Sequence, residues 1–301
     1  MEDFLTLDQK QEELVYSKRG SVNRLVLGVM LKFFELNGRH LTSRESPPLD
    51  LLDCVASQLD VNTSLFADFG WESITAKRFR RDIRDFFGYR RATKKDEESL
   101  IHWLMENHVG QNLNHQQHLE HSYDFFRKKK VQPFSPAKME RHISSACYRF
   151  EKNFFNRIAT NLSMGAKKRL DDLVKGGESF FDAIKRDVVN AKDIPFGIQK
   201  LEFLRRIGLS KNLFQTVSRK FLYRHYTRVV AEFSSHMQKY AKESKYGRLG
   251  IFCHYRAEQL TDNLVDLLFK GLKRIRNSAE VHVSKEGVKD IKKVDGKYGI
   301  L

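Results

Sequence analysis

The chain has 301 residues, 41% of them hydrophobic and 31% charged, which is enough apolar matter for two or three cores and excludes a disordered class. Its 54 Lys and Arg against 38 Asp and Glu leave a formal net charge of +16, so the expected partner is a polyanion, nucleic acid before an anionic membrane. Cys54, Cys147 and Cys253 lie far apart and form no CxxC, and no apolar run approaches the ~20 residues of a membrane span, so a cytoplasmic, nucleoid-associated protein is expected.

Only five prolines occur, and the stretches between them repeat their apolar residues with the helical period. The expected fold class is therefore all-α, with several helical domains: 1–88, 89–164 and 165–301. The first opens with "EELVYSK" and "SVNRLVLGVMLKFFELNG", the latter stopped by Gly38. Arg19 stands just before that second helix and Asn23 and Arg24 in its first turn. All three are candidate DNA contacts, although Asn23 is as readily a helix-start residue as an adenine reader. After Pro47-Pro48 comes "LDLLDCVASQLD". "VASQLDVNTSLFADF" has the shape of a helix-turn-helix, with a turn at Asp60 and a second helix through Leu65 and Phe66.

Next along the chain is "TAKRFRRDIRDFFGYRR", residues 75–91. Thr75 is the expected cap and Gly88 the stop; Phe79, Ile83, Phe86 and Phe87 form the apolar face. Lys77, Arg80, Arg81 and Arg84 recur on the other face, with Arg78 beside them. From Lys77 to Lys95 there are nine cations and two acids. Like charges one helical turn apart repel, so a one-signed stripe suits a row of phosphates, which would release counterions on binding. The alternative is a basic face that serves solubility alone. Arginine outnumbers lysine in the stripe, which fits bidentate contacts to phosphate or guanine.

The second block adds Tyr89, Arg90, Arg91, Lys94 and Lys95, then "DEESLIHWLMEN" with acids in its first turn. "RKKKVQPFSPAKMERHI" supplies a flexible basic loop, Arg127, Lys128, Lys129 and Lys130. Lys138, Arg141 and Arg149 continue it on a helix that Ser135 caps and Pro136 begins. The third block begins near "MGAKKRLDDLV". In "LRRIGLSKNLFQTVSRKFLYRHY" a second turn-linked hairpin is expected at Gly208, with Ser210 as cap and Lys211, Arg219, Lys220 and Arg224 as cations. The final "VSKEGVKDIKKVDGKYGIL" loses the pattern, and its Gly-Lys pair could start a hairpin.

His115, His118 and His121 in "NHQQHLEH" diverge around a helix, so no metal is expected there. No GxxxxGK, no nucleophile-base grouping and no carboxylate cluster stands out. No catalytic residue and no cofactor is expected.

"YSKRGSVNRLVLGVMLKFFELNGRHL", "PPLDLLDCVASQLDV" and "DFFGYR" resemble the N-terminal region of the Tn-three-class replicative transposases. The resemblance resumes in "RKKKVQPF", in "YRAEQLTDNLVDLLFKGLKRIRNSAE" and in "KKVDGKYGIL", and so runs through the whole chain. It implies helical domains that bind the terminal inverted repeats of a transposon as double-stranded DNA, with a scaffold or dimerisation region after them. The chemistry would belong to a later DDE domain that binds Mg2+, which the resemblance places outside this chain; the chain would be a piece or a truncated product. Ser278-Ala279-Glu280 departs from the family's Arg-Ala-Glu at that place. The resulting expectation is a DNA-binding part of a transposase with a bipartite footprint of about two helical turns. It is not expected to be an enzyme by itself, and any homodimer would form through its last block. The rivals are a freestanding regulator at transposon ends and a helical scaffold whose basic surface meets an acidic protein.

Overall fold

The computed structural model describes residues 4–42, 45–176 and 178–298. The fold is all-α: among the described residues there are thirteen α-helices and a single pair of two-residue strands. The chain divides into two compact units, residues 1–109 with 113–149, and residues 110–112 with 150–301.

The first unit contains α1 (Gln9–Tyr16), α2 (Ser21–Asn37), α3 (Leu49–Gln58), α4 (Ile74–Phe86), α5 (Lys94–Asn107), α6 (His115–Lys128) and the first part of α7 (Pro136–Asn161). Helix α2 is its spine, buried without interruption from Leu25 to Phe34. Such a helix accepts a cation only with a partner, and Lys32 has Glu35 at 2.8 Å. Gly38 takes the left-handed backbone, φ 66°, that ends α2. Gln58 at the end of α3 both accepts from the Leu7 N–H at 2.7 Å and donates to its carbonyl at 2.9 Å, which ties α3 to the segment before α1.

Several local expectations need correction. The turn at Asp60 is present, with φ 52°, and the Val61 N–H closes on Ala56 O at 3.0 Å. Beyond it the chain makes a single 3-10 turn, Thr63–Phe66, rather than a second α-helix. Ser73, not Thr75, caps α4, accepting from the Ala76 N–H at 3.1 Å. Arg127 to Lys130 are not a loop. Arg127 and Lys128 lie in the last turn of α6, Lys129 is its C-cap, and Lys130 takes a left-handed φ of 49°.

The second unit holds the rest of α7 with α8 (Met164–Lys175), α9 (Glu178–Lys185), α10 (Ile194–Arg206), α11 (Arg219–Ala231), α12 (Ser234–Lys239) and α13 (Lys242–Tyr298). Gly208 ends α10 with φ 73°, and α11 is capped by Ser218 rather than Ser210. The core is continuous from Phe154 to Leu264. Helix α13 comes so close to α7 that a Cβ at Gly247 would lie 2.7 Å from Phe155 Cα. Arg256 of α13 is 1% exposed and holds the end of α9: its Nε donates to Ile184 O at 2.8 Å and its Nη1 meets Asp187 at 2.6 Å. The break expected after Val283 is absent, and α13 runs to Tyr298. No proline falls in that stretch, and an isolated glycine costs a helix only about 1 kcal/mol.

Candidate nucleic-acid interface

The cationic stripe on α4 is divided by what packs beside it. Phe79 and Ile83 enter the core, Phe79 stacking on Phe69 at 5.8 Å. Lys77, Arg78 and Arg81 stay exposed. The one acid within the stripe is already engaged, since Asp82 takes Lys18 at 2.9 Å and has Arg81 at 3.6 Å. Arg80 is half-buried, with a long 3.4 Å hydrogen bond to Trp71 O. Arg84 is buried and donates to the Gln132 side chain at 3.0 Å. The stripe expected from spacing alone thus offers three outward cations and two turned toward the protein.

Gly88, φ 69°, stops α4: the Tyr89 N–H returns to Arg84 O at 2.8 Å and the Gly88 N–H to Asp85 O at 3.2 Å. The Tyr89 ring then packs edge-on against Phe34 at 4.9 Å. The chain leaves in strand β1 (Arg90–Arg91), which pairs in parallel with β2 (Val131–Gln132), Arg90 opposite Val131. The Arg90 N–H donates to Lys130 O at 3.1 Å. This small bridge brings together two cationic segments that are distant in sequence, Lys77–Lys95 and Arg127–Lys130. Arg91, Lys94, Lys95, Lys128 and Lys130 are exposed there, and none has a carboxylate within salt-bridge distance among the described residues. Lys129 lies over the Phe125 ring at 4.0 Å, and Arg127 is exposed with Asp124 at 3.8 Å.

Other candidate contacts are committed inside the unit. Arg90 grips Asp96 with two hydrogen bonds of 2.7 Å. Those bonds, with help from Thr93 and against burial, hold the Asp96 carboxyl well below the usual carboxylate range. Asp96 also accepts from Thr93 N–H and Oγ1, so the ion pair doubles as the capping box of α5. Lys138 reaches Glu97 at 3.3 Å. Asn23 donates back to Arg19 O at 2.9 Å, and Arg24 donates to Lys18 O at 2.9 Å. Arg19, Arg141 and Arg149 are exposed.

The candidates of the second unit are placed differently. Arg224 is half-buried on Glu151 at 3.0 Å, where His225 also approaches at 3.4 Å. Burial pushes the His225 imidazole down. It also pushes the Glu151 carboxyl up, but His225 and the Arg224 and Arg228 charges outweigh it and leave that carboxyl low. Arg219 sits over the Tyr255 ring at 5.8 Å, and Lys220 is exposed. The Lys211 side chain lies outside the described residues.

One feature of the first unit has no signal in the sequence: a cavity of about 250 Å³ lined by residues as scattered as Arg39, His40, Arg80, Tyr123 and Ser135. Among the described residues no group of three His, Cys, Asp or Glu is placed to hold a metal ion, and no helix is long and apolar enough to cross a membrane.

Residues 1–146 match a family described as a domain of unknown function (DUF4158). The chain is 23% identical over 295 residues to the transposase for transposon Tn1546 of Enterococcus faecium, covering 90% of this chain and 29% of that protein. It is 21% identical over 281 residues to the transposase for transposon Tn21 of Escherichia coli, covering 91% of this chain and 28% of that protein. Over most of its length the chain is thus similar to Tn-three-class transposases. A shorter match, 23% over 170 residues, joins this transposase relative to the transposase for transposon Tn3926 of Escherichia coli. The transposase-related chain spans less than a third of the length of these relatives.

Proposed function

We propose that this chain binds double-stranded DNA at the terminal inverted repeats of a transposon, as the DNA-recognising part of a transposase. The observation that carries the reading is the bridge of β1 and β2. It brings the segment that carries the outward cations Lys77, Arg78, Arg81, Arg91, Lys94 and Lys95 against the chain just after α6, where Lys128 and Lys130 are exposed. A surface of that kind repels itself and gains most when phosphates neutralise it. Of the two rivals, a scaffold for an acidic protein would share the charge but not a preference for duplex. The resident chemistry, including any need for Mg2+, would lie with parts of a transposase that this chain does not represent.

The test is a binding series on the full chain with a terminal-repeat duplex, a scrambled duplex and a single strand. The expected result is tightest binding to the repeat, weakening steeply between about 50 and 200 mM salt. Replacing Lys77, Arg78 and Arg81 together by Gln should lower the log-log salt slope by about 2.7, roughly 0.9 for each phosphate contact. An affinity flat across that salt range, or a slope unchanged in the triple variant, overturns the reading.

A second reading concerns association. Val265, Leu268, Leu272 and Ile275 on α13 are exposed at spacings of three, four and three, the seam of a two-helix coil. A second copy of this chain, which carries the same seam, is the proposed occupant. Sedimentation should then show a dimer that Leu268→Glu dissociates, and a wild-type monomer at all concentrations would remove the idea.

A further inference from the structure

The cavity of about 250 Å³ in the first unit lies where four separate stretches meet: Arg39 to Thr42, Arg80 of α4, Tyr123 of α6, and Gln132 to Pro136. Its electrostatics are lopsided. Arg39 and Arg80 line it, and Arg84 is close enough to act on the same ring. Arg39 is fixed, with its guanidinium over the Phe33 and Tyr123 rings at 5.0 and 5.4 Å and bonded to Glu45 at 2.8 Å. Glu45 is further occupied by the Thr42 N–H and hydroxyl at 3.2 and 3.1 Å. Arg80 has no carboxylate within salt-bridge distance among the described residues and makes a long bond to Trp71 O.

His40 sits among these guanidiniums with its ring against Phe34 at 4.7 Å. Both of its ring nitrogens are shielded from solvent, and neither has a hydrogen-bond partner of good geometry, Gln132 being the nearest candidate. Burial first, and then the charges of Arg80 and Arg84, push its imidazole down to about 3. Arg80 is thus a cation without a carboxylate beside a ring held neutral, and an anion in the cavity would neutralise it. Ser135 and Pro136 also line the cavity, so the start of the long helix α7 faces it. Pro136 brings no N–H and the Lys138 and Met139 N–H groups close on Ser135 O at 2.9 Å, so this end contributes the positive end of the helix dipole.

We propose that this cavity is an oxyanion site that seats one phosphate group, with Arg80 as its principal donor and Ser135 and Tyr123 within the same wall. Polar groups spread over several walls suit an acceptor with several oxygens directed apart, which a tetrahedral phosphate has and a flat carboxylate lacks. The phosphate belongs either to a nucleic-acid backbone or to a small phosphate compound. Only the first of these rests on the duplex-binding reading above.

The experiment is calorimetric titration of inorganic phosphate into the full chain in chloride buffer. Saturable binding is expected, weakened at least tenfold by Arg80→Gln and several-fold by Ser135→Ala, and unchanged by Lys10→Gln, an exposed cation on α1 far in sequence from the cavity. Unaltered melting midpoints without phosphate certify that the variants fold, and the two cavity variants stand in for each other if one does not. Absence of saturable binding, or equal affinity in wild type and both cavity variants, overturns the site. A repeat with saturating duplex assigns the source: loss of the phosphate signal means that a backbone phosphate occupies the cavity, and an undisturbed signal means a small phosphate ligand. A chain that binds phosphate here but no duplex at all keeps this site and refutes the proposed function instead.

Discussion

Both units expose cations, Lys192, Arg205, Lys220, Lys273 and Arg274 among those of the second, but they put others to different uses. In the first, the cations between Lys77 and Lys95 and at the end of α6 mostly point outward without acids to pair with. In the second, cations close the ends of helices. Arg256 holds the carbonyls beyond α9, Lys185 donates to Glu232 O where α11 ends, Lys200 donates to Arg186 O, and Arg157 donates to Leu213 O. Helix C-termini leave carbonyls without partners, and a buried one must be satisfied. The lesson is that a net charge of +16 does not mark a binding surface by itself. Part of it is spent on internal hydrogen bonds, and only the placement of each side chain shows which part remains for a ligand.

That contrast can be tested variant by variant. Trp71 and Trp103 are the two tryptophans of the chain and both belong to the first unit, so fluorescence reads that unit while far-UV dichroism reads the whole chain. The largest effect is expected from Arg256→Met, which strands the Ile184 carbonyl and leaves Asp187 without its arginine, and should lower stability by about 3 kcal/mol. A loss under about 1 kcal/mol by denaturant unfolding would mean that the inward use of arginine contributes little and would break the contrast. Next comes Gly247→Ala. The added methyl meets the Phe155 backbone, which cannot swing aside, so a cost of about 2 kcal/mol is expected.

The third prediction concerns pH. In the folded first unit His40 titrates at about 3, whereas an unfolded chain takes up that proton near 6.5. The unfolded state therefore binds the proton first. Between these values stability falls as pH falls, by about 1.4 kcal/mol per pH unit from this group, and above about 6.5 the group adds no slope. His40→Gln should remove that share of the slope in fluorescence-monitored unfolding; an unchanged slope would show that His40 is not held neutral. Saturating phosphate should flatten it in the wild type, because an anion in the cavity favours the charged ring. The smallest effect is expected from Ser73→Ala, a cap loss of about 1 kcal/mol that Ser73→Asp should largely avoid. Equal losses in both variants would argue that the Ser73 hydroxyl does not hold the first turn of α4.

Much of the helix content was legible because its causes are local. The apolar period, Gly38 and Gly88 as left-handed stops, and Pro136 as a first helical residue all involve neighbours within a turn or two. Where local signals competed, they misled: Ser73 and Thr75 are both cap residues, and only the position of the first turn selects Ser73. The end of α13 lacks an apolar period yet continues as helix, since weak glycine penalties do not suffice to stop one. The family resemblance was also legible, because it rests on order and spacing that survive at 23% identity.

By itself, then, the sequence determined that the chain is basic and helical, similar to the Tn-three-class transposases, with its cations gathered in a few runs. Only the tertiary structure decided which of those cations face solvent. Successive residues step about 100° around a helix, so Arg84 flanks Ile83 as closely as it flanks the exposed face. Whether it is buried depends on what packs on that flank, and here it is Gln132, distant in the chain. The β1–β2 bridge and the His40 cavity have the same origin. Each is made by residues that are neighbours only after folding, and no local period or cap can announce such a meeting.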